Sequence, residues 1–303
     1  MLEDMVQIVT GAASGLGRAT ALELADQGAT VIACDLGARS HGKGENEDAV
    51  EAVAAEIRGR GNRCTPSFGD ITDEDYVMEM IDDAIDEHGR IDGAVNYAGF
   101  LRDGMLFNMT AEDWRVVLDV HLTGHFNLLK HLGGHWREAH KAGELDGERS
   151  VVAVSSASAR GSVGQANYSA AKAGVLGLAR TAARELDQYD VCVNAILPAA
   201  KTRMVDENIP KDIIEGLPTD EIGPEKVAPL PAVLLSDRTA GLTGWTFAIG
   251  SDSVFTVTDP AFEASQTQNG GWSAGDIATA IEELVEDRPR AKTESGSLLP
   301  EIT

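Results

Sequence analysis

At 303 residues and 43% hydrophobic content, the chain is long enough for one large α/β domain with a full core. Its 49 acidic and 25 basic side chains leave a net charge of −24, which repels phosphate backbones and argues against a nucleic-acid partner. MLEDMVQIVT lacks the basic start and long apolar segment of a signal peptide, and no apolar run reaches membrane-spanning length, so a cytoplasmic protein without membrane contact is expected. The three cysteines, Cys34, Cys64 and Cys192, lie far apart without metal-ligand spacing and read as reduced thiols; no metal site is expected. Stretches such as GDITDEDY and IDDAIDEHGR alternate acids with apolar residues as solvated helix faces do, and this acidity fits a halophilic source whose protein loses structure in low salt.

In chain order, Met5 to Thr10 read as a short apolar strand, followed by Thr10-Gly11-Ala12-Ala13-Ser14-Gly15-Leu16-Gly17 and a helix burying Ala19, Leu22, Leu24 and Ala25. Strand, glycine turn and helix is the dinucleotide-binding order: glycines let backbone amides approach a pyrophosphate, and the helix N-terminus adds partial positive charge. Thr30 to Cys34 form a second strand ending at Asp35. A carboxylate there accepts hydrogen bonds from ribose hydroxyls and repels a 2′-phosphate, so NAD is expected rather than NADP. After a glycine-rich insertion over 36–47 come a helix from Ala49 to Ile57, a strand from Arg63 to Phe68 leading to Asp70-Ile71, an acidic helix from Asp73 to His88, and a strand from Ile91 to Val95 ending in Asn96-Tyr97-Ala98-Gly99.

The next helix carries His121, with His125, His131 and His135 beyond it; without a companion carboxylate or cysteine set these last three read as surface histidines. Val151 to Val154 form a buried strand, Ser155 and Ser156 stand at its end, and Tyr168 opens an Ala-rich helix with Lys172 one turn on. Phenol and ammonium then share a helix face, where the cation favours phenolate and lowers the Tyr168 pKa. Val191 to Ile196 make a sixth strand ending near Pro198 and Thr202. Met204 to Asp220 read as a substrate lid, Ala228 to Leu235 as a helix, Gly244 to Ile249 as a last strand, and Ile277 to Val285 as an amphipathic helix in the tail.

These motifs together resemble the short-chain dehydrogenase/reductase family: T-G-x-x-x-G-x-G, Asn96-Tyr97-Ala98-Gly99 for Asn-Asn-Ala-Gly, and Ser, Tyr and Lys at the end of a strand and on the helix after it. The resemblance implies an α/β, doubly wound, Rossmann-like parallel sheet of about seven strands with helices on both faces over residues 1–250, an extension over 251–303 that packs on it with a frayed end, and a homodimer or homotetramer. Asp35-Leu36-Gly37 with Gly42-Lys43-Gly44, Phe100-Leu101-Arg102-Asp103, Asp113-Trp114 and His121 at the family's Asn position narrow the likeness to the (3R)-hydroxyacyl-CoA dehydrogenase unit of peroxisomal multifunctional enzyme type 2.

By that likeness Ser14, Gly15, Leu16, Asp70, Ile71, Asn96, Ala98, Gly99, Pro198 and Thr202 join Gly11, Gly17 and Asp35 in holding NAD, while Tyr168 moves a proton and Lys172 binds the nicotinamide ribose. Ser14, where NADP-preferring members often carry Lys or Arg, agrees with NAD. His121 is either a proton-relay residue replacing Asn or a structural histidine bonded to a backbone carbonyl. Counting back from Tyr168 points to Ser155 as the catalytic serine, whereas aligning the strand points to Ser156; loops accept deletions more readily than buried strands accept a slip, so Ser156 is chosen. The implied activity interconverts a (3R)-3-hydroxyacyl-CoA and its 3-oxo form. A steroid, terpenoid or sugar alcohol dehydrogenase, and a catalytically silent nucleotide-binding protein, are the alternatives.

Overall fold

The computed structural model describes residues 1–38, 42, 44–200, 223–250, 252–258, 265–267 and 272–285; Thr202 and the expected lid from Met204 to Asp220 lie outside the described residues. Eight strands form one sheet in the order β3-β2-β1-β4-β5-β6-β7-β8. They are β1 Val6–Thr10, β2 Thr30–Asp35, β3 Cys64–Phe68, β4 Gly93–Asn96, β5 Arg149–Val154, β6 Val191–Ala199, β7 Thr246–Gly250 and β8 Ser253–Thr256. All pairs are parallel except β7 with β8. The sheet therefore exceeds the expected seven strands by one edge strand past residue 250. Ser253–Thr256 is four residues long with alternate residues exposed, too short a period-2 signal to stand out from the tail.

Helices α1 Gly15–Asp26, α2 Glu47–Gly59, α3 Glu74–His88, α4 Ala111–Leu118, α5 Gly124–Ala142, α6 Ala166–Leu186 and α7 Pro229–Leu234 cover the sheet. The central strands are apolar without alternation because both faces are covered. Successive residues serve opposite cores: Ile8, Val151 and Ala153 pack with Val77, Leu128, Leu132, Trp136 and Val175, whereas Val9, Val152 and Val154 pack with Leu22, Leu24, Val53, Ile57 and Leu234. Asp73 caps α3 by accepting from the amides of Asp75 and Tyr76, and Thr110 caps α4 by accepting from Asp113.

The stretch expected as one helix around His121 is broken into α4, a π-helical turn at Asp119–Thr123, and α5. Extra residues in such a turn re-aim side chains without ending the helix. The first compact unit runs Met1–Val257 and the second Thr258–Thr303; within the latter, α8 spans Ala274–Val285.

Candidate active site

The chain runs β1 to β3 in one direction and then crosses back to place β4 beside β1, so a crevice opens where these two strands diverge at their C-terminal ends. The glycine turn sits there. Gly11 has φ +64° and Gly15 φ +55°, a left-handed backbone that favours glycine. A side chain on Gly11 would stand 2.8 Å from the Ala98 amide and the Tyr97 carbonyl carbon, and one on Gly17 would overlap the Gly11 carbonyl. The first-turn amides of α1 have no intrahelical acceptors. No acidic side chain occupies that turn, whereas Glu47 and Asp48, Glu74 and Asp75, and Glu112 and Asp113 fill the first turns of α2, α3 and α4. Alone among these four helices, α1 leaves its positive end to another anion.

Asp35, the last residue of β2, accepts from the Ala13 amide at 2.8 Å through Oδ2 and from the Gly37 amide at 2.6 Å through Oδ1, so its carboxylate also shapes the glycine loop. Asp70 Oδ1 accepts from the Thr72 amide at 2.9 Å, and Ile71 is buried under α5 where Asn127 donates to its carbonyl at 3.1 Å. Asn96 Oδ1 accepts from the Thr10 hydroxyl at 2.5 Å and the Ala98 amide at 3.1 Å, binding the ends of β1 and β4, while its buried Nδ2 has no partner. Tyr97, which replaces a family Asn, turns into the opposite core and meets the Thr20 hydroxyl of α1 at 3.1 Å. Pro198 lies on β6, half-buried.

At the end of β5 the two serines part company. Ser155 is buried and donates to the Lys172 carbonyl at 2.8 Å. Ser156 is half-buried, caps the short turn at Ala157–Arg160 by accepting from the Ser158 amide at 3.1 Å, and stands close enough to Tyr168 to favour its phenolate. Asn167, unsuspected from sequence although it directly precedes the tyrosine, anchors the start of α6: its Nδ2 donates to the Arg102 and Asp113 carbonyls at 3.0 Å each, and its Oδ1 accepts from the Tyr168 amide at 2.8 Å.

Lys172 does lie on the Tyr168 face, its ammonium 5.6 Å from the ring centroid, but the expected lowering of the Tyr168 pKa is not found. Burial raises it, the neighbouring Ser156 hydroxyl works the other way, and nearby Asp103 adds to the rise. Lys172 is itself buried, donates to the Val154 carbonyl at 2.7 Å, and is brought down by burial to about 7. Two groups that must both lose water to approach each other each drift toward the neutral form.

His121 is buried in the π-helical turn and meets Tyr168 edge to face, with ring centroids 5.0 Å apart. Its Nε2 bonds the Phe100 carbonyl at 2.9 Å, the contact foreseen for a structural histidine, and its Nδ1 is buried without a partner. Gly99 makes room for this ring, which a Cβ there would overlap. Burial first, then the Lys172 charge, holds the imidazole neutral, well below the ordinary histidine range. His125 is buried too, contrary to the expected surface position: in a 3.6-residue repeat it follows His121 by one turn on the inner face, while His131 and His135 are half-buried further along α5.

A family model described as enoyl-(acyl carrier protein) reductase matches residues 11–251. The hydroxyacyl-CoA dehydrogenase ChsB1 of Mycobacterium tuberculosis is 36% identical over 294 residues, 95% of this chain and 90% of its own. The chain belongs to the short-chain dehydrogenase/reductase family. Peroxisomal multifunctional enzyme type 2 of Mus musculus is 37% identical over 249 residues, which are 82% of this chain and 32% of that protein. A crystal structure of a short chain dehydrogenase from Mycobacterium avium, 32% identical, superposes with TM-score 0.84 over 95% of this chain and 97% of its own.

As a short-chain dehydrogenase/reductase the chain is an oxidoreductase acting on CH–OH groups, in a family that uses nicotinamide dinucleotides. The residues present fit such a cofactor. The tight backbone turn that Gly11 and Gly17 permit, the uncompensated N-terminus of α1 and the unpartnered Asn96 Nδ2 offer donors at the β1–β4 crevice.

Proposed function

We propose that this short-chain dehydrogenase uses NAD to interconvert a (3R)-3-hydroxyacyl-CoA and the 3-oxoacyl-CoA. The observation that carries the chemistry is the grouping of the Ser156 side chain, whose neighbourhood favours the Tyr168 phenolate, with the Lys172 ammonium 5.6 Å from the Tyr168 ring centroid. NAD supplies hydride acceptance, and Gly11, Ser14, Gly15, Leu16, Gly17, Asp35, Asp70, Ile71, Asn96, Ala98, Gly99 and Pro198 are the described residues assigned to hold it, with Thr202 outside them. The Asp35 carboxylate supports NAD over NADP because it repels a 2′-phosphate.

In oxidation Tyr168 takes the hydroxyl proton of the substrate while Ser156 donates a hydrogen bond to the same oxygen. The neutral phenol that burial favours is the competent donor for the reverse direction, and in the forward one the phenolate would form beside the Lys172 ammonium, 5.6 Å from the ring centroid. His121 is kept as a fourth active-site residue, its open Nδ1 lone pair an acceptor in the wall beside Tyr168.

The acyl-CoA assignment is supported by the name of the Mycobacterium tuberculosis relative, which the chain matches along nearly its whole length. It is also supported by Leu106 and Phe107, exposed at 71% and 80% on a segment tied to the loop before Tyr168 by the pairing of Gly104 with Gln165. Such side chains suit an acyl chain. A cytoplasmic homodimer or homotetramer completes the proposal.

The test is turnover by the purified protein with NAD, and separately NADP, on (3R)- and (3S)-3-hydroxybutyryl-CoA, a longer hydroxyacyl-CoA and a steroid alcohol. NAD-linked oxidation of the (3R) thioesters is expected. Oxidation of the steroid alone would overturn the substrate, and a preference for NADP would overturn the cofactor.

A further inference from the structure

Val154 is the last residue of β5, and its peptide groups face β4 at a point where β4 has already turned away. The paired register of the two strands ends at Asn96 with Ala153, while the next amide, that of Ser155, donates to β6 at the Ile196 carbonyl. Strand ends that lose their neighbour need other partners for a buried N–H and C=O. Here both are side chains: the Val154 amide donates to His125 Nε2 at 3.2 Å, and the Val154 carbonyl accepts from Lys172 Nζ at 2.7 Å.

These bonds fix the His125 tautomer. An amide can only donate, so Nε2 holds a lone pair and the proton sits on Nδ1, which donates to the His121 carbonyl at 2.5 Å. His125 thereby joins the π-helical turn of the site to the end of β5 with both ring nitrogens satisfied. The ring is buried, and burial holds it neutral, at about 3.

We propose that His125 is a positioning residue of the dehydrogenase, anchoring the Val154 N–H at the end of β5 so that the carbonyl of the same residue, on the next peptide, is held where it seats the Lys172 ammonium near Tyr168. This rests on the assignment of Lys172 as the partner of Tyr168. Without His125 the Val154 N–H is left without its acceptor and the end of β5 is held on the β6 side alone, by the Ser155 amide on the Ile196 carbonyl, so the carbonyl that the ammonium meets is less firmly placed.

Two substitutions divide the ring's functions. In His125→Asn the short amide can still donate to the His121 carbonyl but cannot reach Val154. In His125→Gln the amide oxygen can stand where Nε2 stands and accept from Val154. His125→Asn is expected to lower kcat about tenfold with substrate KM changed less than about twofold, and His125→Gln to recover most of that loss. Lys172→Met serves as the control for the underlying reading.

Equal losses of kcat in Asn and Gln variants of matched melting temperature would reduce His125 to a structural role and overturn the proposal. Wild-type kcat in His125→Asn beside a dead Lys172→Met would overturn it while leaving Lys172 in place. Wild-type kcat in Lys172→Met would overturn the reading beneath it. Nitrogen-15 NMR of the unsubstituted protein is an independent check that needs no variant to fold: a His125 Nδ1–H tautomer is expected, and an Nε2–H tautomer would break the link to Val154.

Discussion

Ser155 gives its hydroxyl to the main-chain carbonyl of Lys172, 2.8 Å away, and so ties the end of β5 to the middle of α6. Its neighbour Ser156 caps a short turn by accepting from the Ser158 amide, and its hydroxyl favours the Tyr168 phenolate. The pair therefore divides into a hydroxyl bound within the fold and one on the Tyr168 side, to which the proposed function gives the reactive role. Ser156→Ala is expected to lower kcat about 10²-fold with little change in melting temperature. Ser155→Ala is expected to cost about 1 kcal/mol of stability and much less turnover, since it removes a buried side-chain hydrogen bond. Urea unfolding and steady-state kinetics on both variants check this, and the opposite pattern would move the reactive role to Ser155.

Asp35 accepts from the loop amides of Ala13 and Gly37, and the proposed function adds a second task for the same carboxylate, the repulsion of a 2′-phosphate. Asp35→Ser removes the repulsion and loosens the glycine loop together. The ratio of kcat/KM for NAD over NADP should fall about tenfold or more, with the NAD value itself reduced. Kinetics with the two cofactors check it; an unchanged ratio would remove Asp35 from cofactor choice.

His121 and His125 are both held neutral by burial, His125 at about 3. Below the ordinary histidine value near 6.5 the unfolded chain binds protons at both rings and the native state does not. Stability is thus fully present above that value and falls as pH drops through it, by up to about 1.4 kcal/mol per pH unit for each ring. Urea midpoints at about pH 7, 6 and 5.5, above most carboxylate titration, should descend, and His125→Gln should flatten the slope. Parallel slopes for variant and parent would contradict this.

Much of the fold was legible because parallel strands buried on both faces are short apolar runs, as at Val6–Thr10 and Arg149–Val154, and because the intervening helices repeat apolar residues at 3.6-residue spacing. The glycine turn, Tyr168 and Lys172 were legible for a different reason: spacing on one turn or one helix face is local geometry. What local geometry does not carry went unread. The burial of His125 depends on β5 packing beneath α5, and the π-helical turn at Asp119–Thr123 has no sequence period of its own. Nor could spacing reveal the direction of the Tyr168 shift, because it assigned Lys172 to the phenol and not to the Val154 carbonyl that the ammonium meets.

The chemistry turns on whether Tyr168 is the group that moves the proton. Replacing it with Phe removes one oxygen and leaves the ring against His121 and beneath Lys172. The decisive measurement is single-substitution kinetics on Tyr168→Phe with NAD and a (3R)-3-hydroxyacyl-CoA, paired with the NADH dissociation constant. Turnover is expected to fall about 10³-fold while NADH affinity stays within about threefold of the parent. Turnover within about tenfold of the parent, at unchanged NADH affinity, would take Tyr168 out of the proton transfer and contradict the mechanism.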